Sequence, residues 1–298
     1  MLEKVVQPAI AFAVKDFFEA IRSPRLIAVS ILLGVVLVGG SAALAVAMAN
    51  TPAPDSGQGG VPDPFEVWHN GASGVLTGIA FGLTPVLLPF LPILAASRTL
   101  QRDKSQGILQ MSLAKPVPPW GLALGKFAGL YGALAIPTVA ISAGVALAIQ
   151  AAAGASVDGG LFTAYAIVNV LLVGLYLVLT LLVGTLLRTE FVAPVAVLIW
   201  IGFSAIRQTA ILITSRLATI LGGKQAATFQ VAWTDLATFT GLYQGLLAPS
   251  VPVHLGFVIG PGSADGLGPA QAVPWVVLAW LVVMYAVYAL SLQRVPSR

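Results

Sequence analysis

The sequence predicts an all-α, polytopic membrane protein with six transmembrane helices. An interfacial amphipathic helix precedes them, a short cytoplasmic helix separates the second span from the third, and short external re-entrant or interfacial helices precede the last span. Two observations predict this class. Of the 298 residues 58% are apolar and only 9% are charged, whereas soluble domains carry about 25% charged residues. Five apolar runs are also long enough to cross a bilayer and a sixth is close to that length. These features exclude a water-soluble protein.

The six predicted spans cover nearly half of the chain. Lipid offers no hydrogen-bond partner to the backbone, so each crossing requires about 20 mainly apolar residues in a helix. The fifth run is the shortest, and it reaches residue 213 only if Arg207 extends its side chain toward the interface. With the segments that join them, the spans form one transmembrane domain, 1–298. They are 26–48, 74–96, 127–149, 161–187, 191–213 and 273–292.

The distribution of Lys and Arg predicts the orientation. Twelve of the 15 basic residues lie in the N-terminal segment, the second and fourth loops and the C-terminal tail. The first and third loops carry only acidic charges, and the other three basic residues lie at 207, 216 and 224. Basic residues in long external segments such as 214–272 carry little weight, because long loops cross largely regardless of charge. Both termini are therefore expected in the cytoplasm.

The N-terminal segment 3–22 has the pattern of an amphipathic helix. We expect it to lie in the membrane interface and to end before Pro24, since proline disfavours a helical predecessor. The helix would either anchor the chain at the membrane or contact a partner and transmit its movement, and the pattern favours neither role. The first span exceeds the 7–15 apolar residues of a signal peptide, so we expect it to be retained. The apolar face comprises Val6, Ala9, Ile10, Ala13, Phe17 and Ile21, and the polar face comprises Lys4, Lys15, Asp16, Glu19 and Arg22.

Two external segments are predicted. Residues 51–71 are rich in proline and glycine and read as a loop. Residues 231–247 are amphipathic and include Trp233, Phe239 and Tyr243. Because aromatic side chains favour the interface, we expect short helices half sunk in the outer leaflet there.

The predicted spans contain no Asp, Glu or His. Carriers driven by protons or sodium usually place such a residue at mid-membrane, so an ion-coupled carrier is disfavoured. The main polar residues at depth are Asn169, Tyr176, Thr180 and Ser204, for which interhelical hydrogen bonds are expected more than substrate contacts. The absence of cysteine excludes thiolate-bound metal and thiol nucleophiles.

Two motifs suggest enzymes but lack the required chemistry. Ser73, in Gly71-Ala72-Ser73-Gly74, resembles the nucleophile of rhomboid-like proteases. However, Ser73 lies at the end of a predicted helix and His254, the candidate base, lies in a loop, whereas catalysis within the membrane needs both at one depth. A phosphate loop is excluded at Lys126, because no Ser or Thr follows it and the glycine spacing is short. We expect no catalytic, metal or cofactor residue in this chain.

Small residues and prolines within the spans predict how the helices pack. Gly121, Gly125 and Gly129 repeat every four residues, which lets the third span approach a neighbouring helix closely. Prolines at 85, 89, 92, 137 and 194 are tolerated in spans and predict local bends.

The second loop carries the most informative pattern. Charged residues at its start and apolar Ile108, Leu109 and Leu113 indicate a short amphipathic helix, about 103–114, that Pro116 terminates. An isolated helix of this length is unstable in water, so it is expected to dock on another surface.

This loop resembles the signature of ABC-2 type ABC transporter permeases, which runs approximately E-R-E-x-G-T-L-x-x-L-L-S-x-P-V and continues to a G-K before the third span. Gln101 and Ile108 depart from the pattern, and Asp103 replaces a Glu. The six-span topology and the helix before the first span resemble the family as well. The agreeing positions are Arg102, Asp103, Gly107, Leu109, Pro116, Val117, Gly125 and Lys126.

The resemblance implies a membrane subunit of an ATP-driven transporter, usually an exporter, in the cytoplasmic membrane of a prokaryote. The permease would act as a dimer of two like or related copies with two ABC ATPase subunits that bind ATP and Mg²⁺; no nucleic acid is implied. Residues 103–114 would be the coupling helix that docks on the ATPase. The alternatives are a permease or channel without an ATPase and, less favoured, an intramembrane enzyme or assembly factor. The ATPase-coupling residues would be Arg102, Asp103, Gly107, Ile108, Leu109, Leu113 and Pro116.

Overall fold

A computed structural model describes residues 3–50, 71–106, 119–221, 238–247 and 273–292. These residues form α-helices joined by short turns and one 3-10 turn, Thr189–Phe191, and they contain no strand. The helices are α1 (Glu3–Ile21), α2 (Pro24–Asn50), α3 (Gly71–Phe81), α4 (Thr84–Leu87), α5 (Phe90–Ser105), α6 (Pro119–Ala153), α7 (Gly159–Leu186), α8 (Val192–Leu221), α9 (Phe239–Leu247) and α10 (Val273–Leu292).

The prediction of a polytopic, all-helical membrane protein is confirmed. Within the described ranges five helical stretches are long and apolar enough to cross a membrane, and α8 contains a shorter apolar stretch, Val192–Ile206. The count of six crossings stays a prediction. The five stretches are Pro24–Met48, Ala72–Ser105, Trp120–Ala153, Gly159–Leu186 and Pro274–Leu292.

The segment predicted as one span at 74–96 is a broken helix. It consists of α3, the single turn α4 and α5, with Pro85 in the first turn of α4 and Pro89 at the N-cap of α5. Proline lacks the N–H that would continue the helical ladder but suits a first turn. The chain therefore restarts a helix near each proline, as the predicted bends require.

Helix α6 is the longest element and lies beside both N-terminal helices. Its 35 residues extend about 52 Å, well beyond the roughly 30 Å of a hydrocarbon core. A Cβ on Gly144 would lie 2.9 Å from Cγ2 of Val38 in α2, and one on Gly34 would lie 3.7 Å from Ile141. Because contacts advance along both helices in the same direction, α2 and α6 run parallel.

Helix α7 occupies the centre of the bundle. Every residue from Leu172 to Leu181 is buried. By contrast, α2 and α10 expose large apolar side chains, such as Leu32 at 63% and Trp275 at 73%. In a membrane protein such exposed apolar faces contact lipid or the helices of another membrane chain.

Helix α9 packs one face against the bundle, and the expectation that it lies half sunk in the outer leaflet stays a prediction. Phe239, Leu242, Tyr243 and Leu247 are all at most 1% exposed. The ring of Phe239 lies edge-on to that of Tyr176, with centroids 5.2 Å apart. Trp233, which belongs to the same prediction, lies outside the described residues.

The N-terminal helix, Glu3–Ile21, lies close to the predicted 3–22. Ile10, on the predicted apolar face, is 56% exposed, whereas Asp16, on the predicted polar face, is only 4% exposed. The reason is that α1 packs lengthwise on α6, and a partner charge on α6 draws Asp16 inward. Val14 and Phe18 extend the exposed apolar stripe that begins at Ile10.

Candidate functional site

Five helices converge at one end of the bundle. They are α1, the first turn of α2, the last turn of α5, the first third of α6 and the C-terminus of α7. We call this region the basic end, because Arg25, Arg98, Arg102, Lys104 and Lys126 lie there. The loop that resembles the permease signature leaves α5 and enters α6 at this end.

The structure describes two of the seven predicted coupling residues. Arg102 and Asp103 lie in the last turn of α5, and α5 continues to Ser105 with Gln106 as its C-cap. Residue 103 therefore belongs to α5 and does not begin a separate helix. The other predicted coupling residues, Gly107, Ile108, Leu109, Leu113 and Pro116, lie outside the described residues.

A buried ionic cluster joins α1, α5 and α6. The ammonium of Lys126 donates a hydrogen bond to the carboxylate of Asp103 and lies 3.5 Å from the carboxylate of Asp16. The side chains are 7%, 4% and 4% exposed, respectively. Burial weakens solvent screening, so these charges interact more strongly than surface pairs do.

The cluster contains two carboxylates and one ammonium. Burial raises the pKa of Asp16, the nearby Lys126 opposes that rise, and the negative charge of Asp103 adds to it. The buried hydroxyl of Tyr288, from α10, lies near both carboxylates.

Two further contacts fix the last turn of α5. The guanidinium of Arg102 pairs with the carboxylate of Glu19 in α1. Lys104 donates hydrogen bonds to the carbonyl oxygens of Gly184, at 2.5 Å, and Leu187, at 2.9 Å. These carbonyls belong to the C-terminal end of α7, where the helix dipole favours a cation.

Glycines bring the backbones of α1 and α6 together. A Cβ on Gly125 would lie 2.5 Å from the carbonyl oxygen of Ala9, and a Cβ on Gly129 would lie 3.0 Å from Cα of Ala13. Contacts this short with backbone leave no room for a side chain. Gly121 is buried in the same helix. Thus α1 is the close neighbour of the Gly125–Gly129 part of the predicted stripe.

The start of α6 is also anchored. The hydroxyl of Tyr285 in α10 donates a hydrogen bond of 2.8 Å to the carbonyl oxygen of Trp120. Both ends of the 107–118 segment are thus attached to the bundle, one through Arg102, Asp103 and Lys104 and the other through Trp120 and Lys126.

Polar residues at depth satisfy one another. Asn169 donates to Ser142 at 2.9 Å and accepts a hydrogen bond of 2.9 Å from the hydroxyl of Tyr243. The hydroxyl of Thr180 donates to the carbonyl oxygen of Tyr176 at 2.7 Å. The two bonds of Asn169 hold α6, α7 and α9 together, whereas the Thr180 bond lies within α7. Ser204, the fourth polar residue predicted at depth, is partly exposed.

The part of the chain that the structure describes offers no group of three or more metal-ligating residues. Ser73 accepts a hydrogen bond of 3.0 Å from the backbone N–H of Asp158. His254, the imagined base for Ser73, lies outside the described residues.

Sequence reasoning missed the ionic cluster. The available signal was Lys126, a cation within an otherwise apolar helix, which needs a buried partner. Asp103 and Asp16 are 23 and 110 positions from Lys126, so periodicity could not identify either as that partner.

The sequence profile of the ABC-2 family transporter proteins matches residues 10–295, nearly the whole chain. None of the curated proteins compared with the chain matches it.

Proposed function

The chain belongs to the ABC-2 family of transporter proteins, and on this premise we propose that it is a permease subunit energised by separate ATPase subunits. ATP and Mg²⁺ would bind to those partners. The permease would work as a dimer, with a second copy or a related chain, and would export its cargo. Family membership supports these features.

The proposal places the basic end in the cytoplasm. Positively charged segments next to spans are retained on that side. Both termini then lie in the cytoplasm of a prokaryotic cell, where an ATPase is supplied with ATP.

The observation that carries the proposal is the attachment of both ends of the 107–118 segment. Asp103 at its start and Lys126 beyond its end form one buried ion pair. A displacement of the segment therefore moves α5 and α6 together, and α1 follows through Asp16 and the Gly125–Gly129 contact. Transport driven by a partner requires that the docked segment move the helices to which it is attached. Packed helices can follow it, because they move as rigid units between discrete arrangements.

The apolar residues of the segment would provide the docking surface. Ile108, Leu109 and Leu113 would be buried in a groove of the ATPase. Asp103 is itself buried and paired within the chain, so the proposal assigns it to positioning the segment. Arg102 is 41% exposed while paired with Glu19 and can also face a partner.

The test is purification of the full chain from membranes of its own host. We expect an ATPase with Walker motifs to co-purify, and the complex to hydrolyse ATP with sensitivity to vanadate. Leu109→Asp should abolish both, because docking would bury an unpaired charge. Ser156→Asp adds the same charge at an exposed position in the turn between α6 and α7, at the opposite end of the bundle, and should leave both intact. Undiminished co-purification of the ATPase with Leu109→Asp would contradict the coupling role.

A further inference from the structure

A cavity of about 710 Å³ opens at the basic end between α1, α2 and α5. Its walls divide into two parts. Arg25, Arg98 and Arg102 line one part, and Leu26, Val29 and Leu94 line the other. The apolar residues follow Arg25 along α2 and precede Arg98 along α5. Because the two helices cross the bundle in opposite directions, this order places the apolar wall on the membrane side of the arginines.

The arginines are not equivalent. Arg102 pairs with Glu19, although its buried Nε has no hydrogen-bond partner among the described residues. Arg25 and Arg98 are exposed to the cavity and form no ion pair within the described ranges. The carboxylates that line the cavity, Asp16 and Glu19, already pair with Lys126 and Arg102. Three arginines and two carboxylates thus line the cavity, which leaves one net positive charge, and Arg25 and Arg98 are the lining cations that no ion pair holds within the described ranges.

The backbone adds to this positive potential. The first turn of α2 lines the cavity, and its first helical hydrogen bond joins the Ile27 N–H to the Ser23 carbonyl at 3.2 Å. The N–H groups of Arg25 and Leu26 precede that bond, and Pro24 has none. A helix N-terminus of this kind attracts anions.

We infer that this cavity binds an anionic phospholipid from the adjacent leaflet. The phosphate would lie between the guanidinium groups of Arg25 and Arg98, and an acyl chain would lie along Leu26, Val29 and Leu94. Basic pockets between transmembrane helices bind anionic headgroups in this manner, and the apolar wall distinguishes a lipid from a free anion. The inference does not depend on the ATPase partner.

The test is native mass spectrometry of the full chain, purified in detergent with equimolar phosphatidylglycerol and phosphatidylcholine. We expect phosphatidylglycerol to be retained in preference. The double variant Arg25→Gln with Arg98→Gln should lower that preference by about tenfold, because each basic residue near an anionic headgroup contributes severalfold. Arg188→Gln removes an exposed charge that does not line the cavity and should change nothing. Arg25→Lys with Arg98→Lys keeps the charge and should keep most of the preference, which controls for folding.

A second arm separates a lipid from a soluble phosphate. Leu94→Trp narrows the apolar part and should reduce retention of phosphatidylglycerol, whereas glycerol 3-phosphate at millimolar concentration should compete weakly. Full competition by glycerol 3-phosphate with no effect of Leu94→Trp would indicate a free-anion site and overturn the inference. Equal retention of the two lipids, or a change in oligomeric state in place of lipid retention, would also overturn it.

Discussion

Replacing Lys126 with methionine tests the ionic cluster most severely. The change preserves the length and apolar stem of the side chain but leaves Asp103 and Asp16 without their shared cation. Both carboxylates are 4% exposed, so solvent cannot replace it. Removing one partner of a buried pair costs about 3–5 kcal/mol. We expect the free energy of unfolding to fall by about that amount at pH 7.

Protonation of the unpaired carboxylates sets an upper limit on this loss of stability. A carboxyl group with an ordinary pKa near 3.9 costs about 4 kcal/mol to protonate at pH 7, but only about 1.5 kcal/mol at pH 5. Without Lys126 the folded protein binds protons that the unfolded chain does not, so its stability rises as the pH falls. Asp16, whose pKa is already raised by burial, adds to the effect. About 2–3 kcal/mol of the loss should therefore be recovered between pH 7 and pH 5.

The assay is unfolding of the full chain by a denaturing detergent, followed through the fluorescence of its six tryptophans at both pH values. Lys15→Met is the matched control, because Lys15 is exposed in the same region and such substitutions usually change stability by less than about 0.5 kcal/mol. A Lys126→Met protein as stable as Lys15→Met, or a loss that does not change with pH, would refute the buried cluster.

Two further substitutions test the packing. Gly129→Val should lower the free energy of unfolding by about 1–3 kcal/mol or more, since overpacking displaces neighbouring atoms and the new Cβ would meet the backbone of Ala13. Gly40→Val is the control and should be tolerated, because nothing lies within 4 Å of a Cβ at that position. Equal losses of stability from the two substitutions would contradict the close approach of α1 and α6. Tyr243→Phe removes the 2.9 Å hydrogen bond to Asn169 and should cost about 0.5–2 kcal/mol, measured by the same unfolding titration, whereas an unchanged stability would show that this bond does not secure α9.

The length of an apolar run predicts the bounds of a helix well where one helix and one apolar run coincide. The predicted 273–292 matches α10, Val273–Leu292, and 161–187 nearly matches α7, Gly159–Leu186. The prediction of 127–149 missed residues 119–126 at the start of α6, which begins at Pro119. The reason is that Lys126 interrupts the apolar run but not the helix, because Asp103 neutralises its charge.

The candidate site was predictable only in part. The pattern from Arg102 to Lys126 locates the loop and its neighbourhood. It does not reveal that Asp103 turns inward toward Lys126, or that Asp16 in the N-terminal helix joins them. These ion-pair partners of Lys126 depend on how α1, α5 and α6 pack. The periodicity of a single helix does not predict how that helix packs on others.

The central claim is that α1 and α5 move as one body when ATP drives the complex. The chain has no cysteine, so spin labels can be placed at Ala11→Cys in α1 and Gln106→Cys after α5, both exposed. Pulsed electron paramagnetic resonance would measure the distance between the two labels in the complex with its ATPase, once in the nucleotide-free state and once in the vanadate-trapped state. We expect the distance to be the same in both states within about 2 Å, the scale of small shifts between packed helices. Adding Lys126→Met should broaden the distribution of distances. A change of about 5 Å, the scale of a full helical-turn displacement, in the protein that retains Lys126 would contradict the central claim.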